Sequence, residues 1–157
     1  MVPPVRARSF AVPVDAANLV WRAAVVWAEA VDLDWAVTPG IRFALTKRVP
    51  AGAGLGGGSS DAAGALKILQ ELAPALGVQA LDRAALHRLA ATLGADVPFF
   101  LVGGTQWGRG RGDQLQPVAE SAAAQFEFAL LLPGFGASTV AVYRQHAALH
   151  ADSVSSD

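Results

Sequence analysis

A chain of 157 residues has room for one ordinary domain, or for one domain and part of another. Its 12 basic and 13 acidic side chains leave a net charge of −1, which excludes a global field drawing in nucleic acid or an anionic membrane surface. The absence of cysteine excludes disulfide scaffolds, thiolate metal sites and cysteine nucleophiles, and fits a reducing cytosol.

In chain order, MVPPVRARSF carries arginines but no apolar stretch after them, so no signal peptide is expected. DAANLVWRAAVVWAEAVDL (15–33) predicts a helix capped by Asp15, with Leu19, Ala23, Val26, Trp27 and Ala30 at helical spacing. GIRFALTKRVP (40–50) sets Ile41, Phe43 and Leu45 against Arg42, Ala44 and Thr46, predicting a half-buried strand that Pro50 ends. A glycine loop follows, with five glycines between positions 52 and 58. From Ser59 a helix is expected, capped by Ser59, Ser60 and Asp61, striped by Ala62, Ala65, Leu66, Leu69 and Leu72, and closed by Pro74 and Gly77. A second helix, LDRAALHRLAATLG (81–94), is capped by Asp82, striped by Leu86, Leu89 and Leu93, and stopped by Gly94. Residues 96–118 and 126–136 predict strands joined by glycine turns, and residues 138–150 a last helix before a polar tail.

The longest apolar runs, VPFFLV (97–102) and FALLL (128–132), fall well short of the roughly 20 residues of a membrane helix, so a cytoplasmic protein is expected. His87, His146 and His150 match no metal motif, and no protein-held metal is expected. Charged residues make up 16% of the chain, against about 25% in ordinary soluble domains. Either apolar surface is covered by something outside this chain, or the domain is alanine-rich and compact.

The glycine loop, PAGAGLGGGSSDAAGAL (50–66), fits one of three phosphate-binding designs. A Walker A loop needs a lysine straight after its last glycine, and Gly58 is followed by Ser59 and Ser60. A dinucleotide fingerprint is met formally by Gly52, Gly54 and Gly57, but Asp82, at the acidic position, opens a helix rather than ending a strand. The third design is a glycine loop entering a helix whose first turn carries serine hydroxyls, with bare backbone N–H groups and the positive helix end around a triphosphate. A flexible turn between strand and helix is the plainer alternative.

In this third form the loop resembles the ATP loop of the GHMP kinases, which phosphorylate galactose, homoserine, mevalonate and related alcohols. The triple glycine Gly56–Gly58 before Ser59 and Ser60 is similar to one branch, which acts on cytidine diphosphate-linked methylerythritol in isoprenoid precursor synthesis. LGADVPFFLVGGTQWGRGRGDQLQPV (93–118) and LLPGFGASTVAVYR (131–144) resemble further blocks of that branch, in the same order. NLVWRAA (18–24) and TKRVP (46–50) extend the resemblance over nearly the whole chain.

The resemblance implies an α+β GHMP kinase fold: an N-terminal ATP-binding domain over 1–120, helices on a mixed sheet, and the first elements of a ferredoxin-like domain over 121–157. It implies ATP as phosphoryl donor with Mg²⁺ as its counter-ion, a small-molecule acceptor, and neither nucleic acid nor membrane as partner; oligomeric state stays open. Asp96 takes the catalytic place, orienting the attacking hydroxyl, a task that a loose transition state allows a weak base to perform. The plainer reading of Asp96 is a cap on a turn. Pro50, Gly52, Gly54, Leu55, Gly56, Gly57, Gly58, Ser59 and Ser60 form the phosphate cradle, and Lys47 and Asn18 match positions on the adenine side. A surface lysine and a helix-start asparagine are equally good accounts of those two, and either serine is also a plain cap. Tyr143 would stack on the cytosine, with Arg144 beside it and Thr139 as a hydroxyl contact, although a helix face of packing and solvated residues accounts for them too. Arg109 and Arg111 read as a tight turn between strands rather than as anion binders.

The branch opens with a strand of the type A-P-A-K-I-N and a tyrosine–histidine segment, and neither occurs in MVPPVRARSFAVPVDAAN. The chain therefore resembles a central piece of the family pattern, expected to bind ATP weakly and to turn over slowly or not at all.

Overall fold

The computed structural model describes residues 12–34, 36, 38, 40–119, 128–130 and 138–150. Contacts divide the chain into two units, and each is taken by itself: residues 9–127, and a smaller unit that includes 128–157.

In the larger unit, Asn18 opens helix α1 (Leu19–Ala30), its side-chain oxygen accepting from the Val20 N–H at 2.9 Å. The cap therefore lies three residues past the expected Asp15, whose carboxylate instead accepts from the Ala17 N–H and shapes the preceding turn. Residues 40–49 lie outside any strand. Ile41 and Phe43 do turn toward the core, as the alternation predicts, but among the described residues no segment pairs with them, and a strand exists only through its ladder.

Helix α2 (Gly57–Leu72) starts two residues earlier than expected, inside the glycine run, with Gly56 at its N-cap and no side-chain cap. Neither serine caps it. It runs into a 3₁₀ turn (Ala73–Leu76), which Pro74 enters without breaking, and Gly77 ends the turn in the left-handed region. Helix α3 (Arg83–Leu93) follows as the sequence predicts, with Asp82 accepting from the Ala85 N–H at 2.7 Å.

The apolar run 97–102 departs most from expectation. It is helix α4 (Val97–Val102), not a strand. Short apolar runs satisfy either period; here Pro98 in the first turn supplies a helical φ and lacks an N–H that would have no partner there. The glycine turn was legible: β1 (Gln106–Arg109) pairs antiparallel with β2 (Gln114–Pro117), Gly108 opposite Leu115. Arg111 caps the turn by bonding Asp113 at 3.0 Å, which holds the Asp113 carboxyl below the usual carboxylate range.

The core lies where α1 and α2 cross, and α3 and α4 close it. Ala23, Ala24 and Ala28 of α1 and Ala62 and Ala65 of α2 are buried there, small residues that let the helices approach closely around a fully buried Trp27. The indole N–H donates to Gln70 Oε1 at 2.8 Å, and Gln70 also binds both the N–H and the carbonyl of Leu81. One side chain thus ties α1, α2 and the lead into α3.

The described residues form an α+β fold whose sheet is this two-stranded hairpin. No helix among them is long and apolar enough to cross a membrane. In the smaller unit, α5 (Thr139–His150) matches the predicted last helix. Of the strand expected at 126–136, residues 128–130 have no regular structure, and the others, like the tail 151–157, lie outside the described residues.

Candidate functional site

Gly52, Gly54 and Gly56 each have positive φ, so the loop turns sharply at every second residue before it enters α2. Such alternation points successive N–H groups into a concavity that suits an anion. The first intrahelical bond of α2 runs from the Ser60 N–H to Gly56 O at 2.9 Å. The N–H groups of Gly57, Gly58 and Ser59 precede it and belong to the positive end of a sixteen-residue helix. Ser60 Oγ donates back to Gly57 O at 3.1 Å, leaving its lone pairs available, while Ser59 Oγ has no partner among the described residues.

Packing explains why glycine is needed at two of these positions. A Cβ on Gly56 would stand 2.8 Å from the Phe100 ring, and one on Gly57 would stand 3.0 Å from Val49 Cγ1 and 3.3 Å from Lys47 Nζ. The loop is therefore wedged between α4 on one side and the segment 47–49 on the other. Lys47 forms an ion pair with Asp61, in the second turn of α2, and both side chains are largely shielded from solvent. This holds the Lys47 ammonium at the flank of the loop. Pro50 is half-buried where the chain enters the loop.

Asp96 occupies the N-cap position of α4, yet its carboxylate makes no capping bond. The plain role that the sequence left open for it is not taken up. Phe100 lies four residues on, one helical turn away on the same face, and its ring touches Gly56. Helix α4 thus carries a carboxylate and an aromatic wedge together, and the wedge sets that carboxylate beside the loop. Lys67 of α2 fixes the far end of α4 by donating to Phe100 O at 2.9 Å.

Between these parts lies an open cleft of about 320 Å³. Leu55 and Gly56 of the loop, Asp96 and Phe100 of α4, and Gln106 and Leu115 of the hairpin line it. The glycine loop and Asp96, more than thirty residues apart in sequence, share this one space.

Other expected site residues stand elsewhere. Asn18 caps α1 and donates through Nδ2 to Pro13 O at 2.7 Å; its neighbour Leu19 reaches the first turn of α2, 3.4 Å from where a Gly58 Cβ would be. Tyr143 and Arg144 lie on α5 in the smaller unit, both exposed, and Thr139 begins that helix. Phe100 and Gln106 were not among the expected residues. Phe100 would have been found by placing 97–102 on a helix, where it follows Asp96 by four. Gln106 carries no sequence signal, since one glutamine in a glycine-rich hairpin matches no motif.

The chain is similar to known proteins. The family model described as the GHMP kinases N terminal domain matches residues 18–104, which include both the loop and Asp96. The chain is 44% identical over 133 residues to the 4-diphosphocytidyl-2-C-methyl-D-erythritol kinase of Pseudarthrobacter chlorophenolicus, covering 85% of this chain and 38% of that protein. It is 47% identical over 128 residues to the enzyme of the same name from Thermus thermophilus, covering 81% and 41%. A crystal structure of 4-(cytidine 5'-diphospho)-2C-methyl-D-erythritol kinase superposes with a TM-score of 0.56 at 49% identity, over 71% of this chain and 37% of that one. The chain spans about two fifths of the length of the curated relatives it matches.

Proposed function

This chain belongs to the GHMP kinase family through its N-terminal domain, and from that premise we propose that its cleft serves ATP-dependent phosphorylation of a hydroxyl on 4-diphosphocytidyl-2-C-methyl-D-erythritol, a step of isoprenoid precursor synthesis. The observation that carries this reading is the shared cleft: a glycine loop at a helix N-terminus opens onto the same space as a carboxylate that has no bonding partner among the described residues.

The fit to a polyphosphate rests on the loop itself. Side chains at Gly56 and Gly57 would strike Phe100 and Val49, so the backbone there stays bare. In this reading the N–H groups from Gly52 to Ser59 hold the phosphates, with the Ser59 and Ser60 hydroxyls beside them, and Lys47, paired with Asp61, keeps its place on the adenine side. ATP supplies the phosphoryl group, with Mg²⁺ as its counter-ion. Asp96 accepts the hydrogen bond of the substrate hydroxyl, aims its oxygen, and takes its proton as the new O–P bond forms and the bond from the γ-phosphorus to the ADP leaving group breaks. Tyr143, Arg144 and Thr139 are assigned to the cytidine end and Asn18 to the adenine side, on family resemblance alone.

Calorimetry with ATP and with a cytidine diphosphate ligand tests the assignment. Binding of both supports it, ATP alone points to another small-molecule kinase of the family, and binding of neither overturns it. Single-turnover transfer from γ-labelled ATP to the substrate is expected to be slow. It should fall about a hundredfold or more in D96N while the melting temperature is kept, because Asp96 is exposed and its side chain bonds no other group among the described residues.

A further inference from the structure

Gln106 begins β1 and lines the cleft that also holds Asp96. Its position is fixed twice. The backbone is held by the hairpin, with Gln106 opposite Pro117 and the Val118 N–H donating to Thr105 O at 3.0 Å. The side-chain amide is held by its Nε2, which donates to Gly103 O at 2.9 Å. A carbonyl only accepts, so that bond also settles which end of the amide is nitrogen. The other end, Oε1, is buried and lacks a hydrogen-bond donor, and it is the only buried side-chain polar atom of the described residues in that condition.

Buried acceptors are nearly always satisfied, and an orphan on a residue that lines a cleft points to a donor brought in by a ligand. The rest of the lining narrows the chemistry. Leu55, Phe99, Phe100 and Leu115 are apolar, and Asp96, when ionised, is purely an acceptor. A molecule that satisfies both side chains must carry two donors.

We infer that Gln106 Oε1 accepts a hydrogen bond from a second hydroxyl of the substrate, next to the hydroxyl engaged by Asp96, so that the cleft selects a vicinal diol over a simple alcohol. The inference rests on the kinase reading and adds a specificity residue to it. The terminal torsion of glutamine is broad, so a small turn of the amide brings Oε1 to the incoming hydroxyl. Gln106 is a positioning residue here, with no part in the proton transfer.

The test compares two ligands across two proteins by titration calorimetry: cytidine diphosphate-linked methylerythritol, and its analogue lacking the hydroxyl vicinal to the accepting one. The wild-type chain is expected to bind the diol about tenfold more tightly than the analogue, and Q106L to bind the two within about twofold. A merely structural role, through the Gly103 bond, would weaken both ligands alike in Q106L and keep the tenfold ratio; that outcome overturns the inference. So does a wild-type chain that does not discriminate, or one that binds ATP but neither polyol, and in those cases the phosphate-loop assignment survives. Failure to bind ATP as well would remove that assignment and this inference with it.

Discussion

Gly56 combines two demands that elsewhere fall on different residues. Its φ of 65° is in the left-handed region, and the Phe100 ring occupies the space where a Cβ would go. Gly54, with a φ of 72°, meets only the first demand, since nothing among the described residues stands within 4 Å of its missing Cβ. The two alanine variants should therefore separate. G54A is expected to lose about 1–2 kcal/mol from backbone strain, whereas G56A loses that and also displaces the ring that wedges α4 against the loop. Adding F100L to G56A should return the clash part and leave the backbone part, read as denaturation midpoints for the three variants. Equal midpoints for G54A and G56A would show that the ring does not set the loop. At the same scale, Asp113 titrates low because Arg111 donates to it. A depressed folded-state pKa stabilises above the unfolded value, and the contribution fades as pH falls through the folded one. R111Q should thus raise the Asp113 midpoint toward the ordinary carboxylate value in an NMR titration. Any stability change would appear only in acid and be small, because the Arg111 guanidinium is solvated.

Among the elements, the helices with a cap and a stripe were legible and the apolar segments were not. Asp82 with Leu86, Leu89 and Leu93 specifies α3 locally, through a cap and a period that need no other part of the chain. VPFFLV has no such internal evidence: its helix is decided by Pro98 and by the docking of Val97 and Pro98 against α2 and α3. For the segment 41–45 the alternation correctly showed Ile41 and Phe43 facing inward but not Leu45, which is exposed, and pairing depends on a neighbour that pattern alone cannot supply. The site divided in the same way. The loop and Asp96 stand out in the sequence because motif and chemistry coincide, while Phe100 and Gln106 join the candidate site through contacts made only in the fold. Gln70 is another such residue, looking from sequence like an ordinary polar position on α2. In the structure it accepts from the Trp27 indole and the Leu81 N–H, and donates to Leu81 O. Q70L should strand both donors and cost about 1–3 kcal/mol for each that stays unsatisfied. Q70E keeps the acceptor and should lie between Q70L and the wild type in a urea titration. Wild-type stability in Q70L would mean that water replaces the clamp.

At the scale of the whole molecule, order is distributed unevenly. Trp27, Leu66, Leu69 and Val97 are fully buried where four helices meet, and the loop and Asp96 are mounted on the ends of two of those helices. A site carried on packed elements keeps its spacing without any strength of its own, which matters for a loop this rich in glycine. Helix α5 is different: every side chain described on it is exposed, with Tyr143 at 73% and Leu149 at 69%. A helix of twelve residues is marginal in water unless a face of it is buried. Native-state hydrogen exchange should show this difference directly. Amides of α1 and α2 are expected to exchange together and slowest, near the global unfolding limit, with those of α5 faster by orders of magnitude. Cytidine diphosphate provides the second arm, since the residues assigned to the pyrimidine lie on α5. If Tyr143 stacks on that base, the nucleotide should slow exchange along α5 and leave α1 unchanged. Protection of α5 equal to that of α2 in the free chain would mean that its exposed face is covered in solution, and unchanged α5 exchange with saturating nucleotide would remove Tyr143 from the substrate site.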